Sequence, residues 1–312
     1  MKKIAILGAN GRLSSMAATA FHKAGYTVIG VTRNGKAHNS VAYTEVRAAD
    51  ALNPESLIQA TKGVDFIFNG LNPLYTRWAA DALPIAENVV AAASANSAVH
   101  LFPGNVYNYG TEIHLDMTED CKVSPSVAKG LIRIQMEETF RRSAQTNNVQ
   151  TLMLRAGDFY GGTVPGSWFD LALVSKLGKG IFTYPGPMDL AHSWAYLPDL
   201  AGAFVSLANK ADNLAVFEQV NFQGHTLSGA EMMSLIDTVL GKPIRFQKFP
   251  WFLLKAGGLF NPMWREISAM SYLWKTPHSL CGRKLEKIEP GFKQTSAQAA
   301  VRNALSDLDL VS

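Results

Sequence analysis

Residues 2–15, Lys2-Lys3-Ile4-Ala5-Ile6-Leu7-Gly8-Ala9-Asn10-Gly11-Arg12-Leu13-Ser14-Ser15, decide how the rest of the chain is read. The apolar run reads as a buried strand that ends at Gly8. A tight turn follows, and from Arg12 to about Lys23 the apolar spacing becomes helical. A second apolar run, Tyr26 to Val31, closes a β-α-β unit. Gly8 permits the sharp turn, and Gly11 removes a Cβ where a pyrophosphate would approach the backbone. The helix start then offers free N–H groups and the positive end of its dipole. Gly8, Asn10, Gly11, Arg12 and Leu13 are therefore candidate contacts for a dinucleotide. Ser14 stands where a third glycine is usual, and is small enough to allow close helix–strand packing. Glycine turns also close ordinary loops, but a turn that follows a strand and opens a helix has the context that supports the dinucleotide reading.

The end of the second strand bears on which dinucleotide. NAD-binding chains carry an acid there for the ribose hydroxyls, whereas an arginine accommodates a 2′-phosphate. This chain reads Thr32-Arg33-Asn34-Gly35-Lys36, with no acid before Glu45. Arg33, with Arg12 on the same side, favours NADP(H) over NAD. The alternative is that both arginines are solvated surface charges.

Further along, strands are expected at Thr44–Ala48, Val64–Phe68, Ala98–Phe102 and Val149–Arg155. Helices are expected at Glu55–Thr61, from Tyr75 to Asn88 or beyond, and at about Ser126–Gln145. Such alternation implies an α/β fold with a Rossmann-type, doubly wound parallel sheet. Residues 1–160 read as the NADP(H)-binding domain, with the sheet completed by later segments. Residues 161–312 read as a smaller mixed substrate region packed on it. Within that region a helix is expected over Leu197–Asn209. Ser228 and Glu231 form a capping box for another, ended by Gly241. Phe249-Pro250-Trp251-Phe252-Leu253-Leu254-Lys255 reads first as a helix packed on the core, with a pocket lid or a membrane-surface contact as alternatives.

Composition excludes several classes. Charged residues make up 17% and apolar ones 47% of 312 residues, which argues against disorder and against a coiled coil. The net charge of +4 is scattered, so it implies no nucleic acid, though a mild positive field suits an anionic ligand. Cys121 and Cys281 stand far apart, with no metal-binding pattern around them. No leader-like stretch precedes the first strand and no run is long enough to span a bilayer, so a cytoplasmic location is expected.

Taken in order, Gly8-Ala9-Asn10-Gly11, the Asp50 loop, Val106-Tyr107, Leu154-Arg155-Ala156-Gly157-Asp158-Phe159-Tyr160-Gly161 and Ala195-Tyr196-Leu197-Pro198-Asp199 resemble the extended short-chain dehydrogenase/reductases, the NAD-dependent epimerase/dehydratase superfamily. The resemblance covers nearly the whole chain. It implies that Asp50 and Ala51 sit beside the adenine, Asn69 and Gly70 beside the ribose and pyrophosphate, and Phe159-Tyr160-Gly161 near the nicotinamide. The family's Tyr-x-x-x-Lys pair is absent from this sequence. The equivalent helix reads Lys129-Gly130-Leu131-Ile132-Arg133-Ile134-Gln135-Met136-Glu137, similar to an atypical subgroup. By that alignment Arg133 stands at the Lys position and Lys129 at the Tyr position, and no Ser occupies the family's Ser position near Gly104 or Asn105.

Spacing of four puts Lys129, Arg133 and Glu137 on one helical face, where they could equally be a solvated charge stripe. On the functional reading Arg133 holds the nicotinamide ribose, and Lys129 or Tyr107 serves as acid/base. Ser124, Ser126 and Tyr160 are further hydroxyl candidates, and Trp168, His192 and Trp194 are candidate pocket walls. The expected function is that of an NADP(H)-dependent oxidoreductase or epimerase on a small carbonyl or hydroxyl compound, possibly a nucleotide sugar, as a monomer or homodimer. The alternative is a non-catalytic NADP(H)-binding sensor or assembly protein. No metal site is expected.

Overall fold

The computed structural model describes residues 1–38 and 43–311. In chain order the first half gives β1 (Lys3–Leu7), α1 (Arg12–Lys23), β2 (Thr27–Thr32), β3 (Glu45–Ala48), α2 (Pro54–Ala60), β4 (Phe66–Asn69), α3 (Trp78–Asn96), β5 (Val99–Gly104), α4 (Ala128–Asn147) and β6 (Thr151–Arg155). The second half gives β7 (Asp158–Tyr160), β8 (Ile181–Tyr184), β9 (His192–Tyr196), α5 (Leu197–Asn209), β10 (Phe217–Asn221), β11 (His225–Leu227), α6 (Gly229–Leu240), β12 (Arg245–Lys248), α7 (Trp251–Gly257), α8 (Pro262–Ala269), α9 (Arg283–Ile288) and α10 (Ala297–Ser306).

Seven parallel strands form the main sheet in the order β10-β6-β5-β4-β1-β2-β3. The order reverses at β1, so the carboxyl ends of β1 and β4 flank the crevice in which such sheets bind ligands. Strands near the centre are apolar throughout because helices cover both faces. Ile4, Ile6 and Phe68 pack with α1 and α5 on one face, while Ala5, Leu7 and Ile67 pack with α2 and α3 on the other. The sheet domain is therefore discontinuous: α5 and β10 come from beyond residue 161 and complete it. Two small sheets, β11-β9-β7 and β12-β8, form a second layer built from residue 158 onward. The capping box of Ser228 and Glu231 forms as read, and Gly241 ends α6 in the left-handed conformation.

One expectation holds only in part. The Phe249–Lys255 stretch meets the core through Phe249 and Trp251, which pack on Trp168, but α7 fully buries none of its residues, and Phe252 and Leu253 are exposed. Helical spacing and apolar content cannot tell a core face from an exposed one, and here one face is exposed. Among the described residues no helix is long and apolar enough to cross a membrane.

Asn69 and His100 tie β4 to β5. Asn69 accepts the Leu71 N–H through Oδ1 (3.3 Å), which turns its amide N–H toward His100 Nε2 (3.3 Å). His100 Nδ1 then faces Thr151 Oγ1 at 3.1 Å. A proton on Nε2 would meet another donor, and full burial already pushes this imidazole from 6.5 down to about 3. An unfolded chain binds that proton below pH 6.5 while the folded chain refuses it until about 3, so stability falls as pH falls across this window. Urea unfolding of the parent should lose about 2 kcal/mol more than His100→Gln between about pH 7 and about pH 5. An identical pH dependence in the two proteins would remove His100 as the cause.

Candidate active site

The glycine turn is built by short contacts. Gly8 sits at φ +66°, and the Gly11 N–H donates to its carbonyl at 2.7 Å. Ser14 takes the third glycine's place by bonding Leu7 O through its hydroxyl (3.2 Å), on the side where Gly70 presents no side chain. A Cβ on Gly70 would lie 1.9 Å from Ser14 Oγ, so the two positions work as one. No side chain caps α1, and its first turn holds no acid, so its positive end is left for a ligand.

The other cofactor candidates separate into two groups. Arg33 is exposed at the end of β2. Arg12 points elsewhere: its guanidinium pairs with Asp170 and donates to Gly161 O at 2.8 and 3.0 Å, tying α1 to the second layer. Its side chain is therefore engaged by the second layer, while its backbone stays at the start of α1. Asn10 spans to the loop after β2, donating to Lys36 O (3.0 Å) and accepting from His38 N (2.8 Å). The Asp50 carboxylate caps the local turn at Leu52 N (3.0 Å), and Ala51 O accepts from Asn88 (3.0 Å). Asn69 spends its side chain on β5, as described above. Leu13 is buried in α1, and Gly70 and partly buried Phe159 lie along the carboxyl edge of the sheet.

At the other end of the crevice, Gly130 allows α4 to pass against the turn after β5. A Cβ there would lie 2.5 Å from Tyr107 O. That approach brings Lys129, Arg133 and Tyr107 together. All three members of the 129/133/137 face are buried, so it is not a solvated charge stripe. Lys129, only 3% exposed, is ion-paired with Glu266 of α8 and lies over the Tyr75 ring (4.8 Å). The Arg133 guanidinium stands over Trp78 (4.8 Å) and Phe102 (5.3 Å), and its Nε is buried without a partner. Burial pulls Arg133 below its usual value, opposed by Tyr107, Glu137 and Tyr75. Glu137 pairs with Arg155 at 2.8 Å, and Arg155 also donates to Asn105 O, which fixes the turn that carries Tyr107.

Tyr107 and Tyr75 share a hydroxyl–hydroxyl bond of 2.9 Å. Burial holds Tyr107 well above the usual phenol range, and Tyr75 is raised for the same first reason. Asp158 is a centre the sequence reading quoted without giving it a role. Its carboxylate accepts from His192 Nε2 at 2.8 Å, and its field adds to the upward shifts of Tyr75, Tyr107, Tyr184 and Tyr272. His192 stacks on Trp274 (4.4 Å between centroids) and lies beside Trp194 (4.9 Å). Trp168 also meets Trp274 (5.3 Å), so Trp168, His192 and Trp194 gather on that ring inside the second core. Tyr160 drops out as a proton donor to a ligand, since its hydroxyl is 2.7 Å from His225 Nδ1 inside the core. Ser124 lies on the turn facing Asn108, its N–H bonded to that carbonyl at 2.9 Å. Ser126 lies near Tyr272, whose buried hydroxyl has no hydrogen-bond partner among the described residues. A tyrosine at 75 and an acid at 158 carry no local signal of function; only the β4–α3 and β6–β7 connections bring them to Tyr107.

The sequence pattern of the NmrA-like family matches residues 1–298. The chain belongs to the NmrA-like family. A search of the curated proteins finds no match. Among solved structures, the chain is similar to a UDP-galactose 4-epimerase (17% identity, 98% of each chain, TM-score 0.74). It is also similar to the UDP-glucuronic acid 4-epimerase of Bacillus cereus solved with NAD (15%, 98% of each chain, TM-score 0.77). A third is the UDP-Glc/GlcNAc 4-epimerase of Campylobacter jejuni (13%, 99% of each chain, TM-score 0.77). At these identities the likeness is one of fold: this NmrA-like chain has the Rossmann-type fold of the extended short-chain dehydrogenase/reductases.

Proposed function

We propose that this chain binds NADP(H) in the crevice and acts as an oxidoreductase or epimerase on a small carbonyl or hydroxyl compound, with a nucleotide sugar as the first class to test. The observation that carries the cofactor reading is the uncapped, acid-free start of α1 behind the Gly8–Gly11 turn. The buried, unpartnered Nε of Arg133 at the far end fits a ribose or nicotinamide group arriving there. Gly8, Gly11 and the first turn of α1 would hold the pyrophosphate, Arg33 the 2′-phosphate, and Arg133 the nicotinamide ribose. When bound, the nicotinamide supplies or takes up a hydride.

The chain's own part in the chemistry is to place a proton. Tyr107 keeps its proton across the neutral range because burial holds it high, so it suits donation to a substrate oxygen rather than proton abstraction. Tyr75 orients that hydroxyl, and Asp158, held by His192, adds its charge to what keeps both phenols protonated. Lys129 directs its N–H groups at Glu266, so the position of the family's tyrosine is given to an ion pair. That pair favours the second reading, a non-catalytic NADP(H) sensor.

Calorimetry tests the cofactor assignment. NADPH should bind more tightly than NADH, and Arg33→Ala should cost about 1.5–3 kcal/mol for NADPH and little for NADH, as loss of a charge-assisted pair does. Equal affinities in the parent protein would sink it.

A further inference from the structure

All four exposed Phe and Trp side chains among the described residues, Phe246, Phe252, Phe260 and Trp264, fall within residues 246–264. They lie on β12 and on the hairpin of α7 and α8. Neither of those helices buries a residue. The hairpin tip carries Leu259, 81% exposed, and Phe260, 91% exposed. A pocket lid would turn its apolar side chains inward. Here Trp251 and Glu266 make the inward contacts, to Trp168 and Lys129, while Phe252, Leu253, Leu259 and Phe260 face out. The charge around the tip is one-signed. Between Asp237 and Glu266 the sequence holds no acid, while Lys242, Arg245, Lys248, Lys255 and Arg265 are all exposed.

We propose that the α7–α8 hairpin seats the protein on an anionic lipid surface. Leu259 and Phe260 enter the boundary between headgroups and acyl chains, Phe252 and Trp264 lie at the interface, and the five basic side chains meet anionic headgroups. Aromatic and aliphatic side chains on one side of a short helical element, rimmed by Lys and Arg, are the composition of an interfacial contact. Charge argues against a second copy as occupant, since a two-fold pairing of this face would set basic rims against each other. The contact is monotopic, and it uses Leu259 and Phe260, which are not among the residues given to the proposed chemistry.

The test is co-sedimentation of the full chain with sucrose-loaded vesicles. One set is pure phosphatidylcholine, and in the other about a third of the lipid is phosphatidylglycerol. The proposal expects a partition coefficient on the order of tenfold higher or more for the anionic set, falling as salt rises. The double variant Leu259→Ser/Phe260→Ser should lose on the order of tenfold or more of this binding. Both side chains are exposed, so circular dichroism should be unchanged. Lys255→Glu/Arg265→Glu should remove the preference for the anionic set. Absence of binding to either set, equal binding to both, or parent-like binding by the Leu259/Phe260 variant would overturn the proposal. So would light scattering that finds a dimer abolished by that variant without vesicle binding by the parent, since this assigns the face to a second copy.

Discussion

Gly11→Val is expected to abolish NADPH binding while leaving the fold intact. Gly11 lies at φ −74° and ψ 154°, a conformation valine adopts readily, so the backbone itself does not oppose the change. The first added carbon lies 3.1 Å from Gly8 O, a contact the turn relieves by a few tenths of an ångström. The branches beyond it are the obstacle, because they stand at the start of α1 where the pyrophosphate must reach the N–H groups. Loss of those charge-assisted bonds, each worth about 1.5–3 kcal/mol, takes affinity down by on the order of 10³-fold for two of them. Calorimetry on a variant with a parent-like melting curve reads this directly. Retained micromolar-range binding would show that the turn is not the site.

The second large effect concerns the proton. With a substrate in hand, Tyr107→Phe should cut turnover by about 10²–10⁴-fold, the usual share of acid–base assistance. Lys129→Met should cut it by less than about tenfold, because the Lys129 ammonium is engaged with Glu266 rather than with the space beside Tyr107. Tyr107→Phe also gives up the bond to Tyr75, worth about 1 kcal/mol of stability, so both variants are compared at a temperature well below unfolding. If Lys129→Met is the slow one, the proton belongs to Lys129 as the helix alignment suggests. If neither variant changes the rate of any compound tried, and NADPH still binds, the sensor reading holds.

Much of this was legible from residues alone. The β-α-β opening, the parallel sheet, the capping box at Ser228 and the convergence of Lys129 with Arg133 follow from period, spacing and turn chemistry, which are local. Three features were not, and each is long-range. Arg12 sits in the glycine turn, yet its guanidinium is taken by Asp170, 158 residues away. Lys129 and Glu266 pair across 137 residues, and no spacing rule could link them. The Phe249–Lys255 segment has the apolar content of a core helix, and only its surroundings reveal that Phe252 and Leu253 lie uncovered. Asp158 was hidden differently: it sits inside a recognised motif, and its meaning lies in the His192 and tyrosine side chains that earlier and later segments supply.

Arg133 carries the central claim, that the face of α4 stands at the nicotinamide end of an NADP(H) crevice. The most direct measurement is NADPH affinity of Arg133→Ala against the parent by isothermal titration, with melting curves on both. The account predicts binding weakened by about 1.5–3 kcal/mol, roughly 10- to 150-fold, in a folded protein. Parent-like NADPH affinity in a folded Arg133→Ala variant would contradict it.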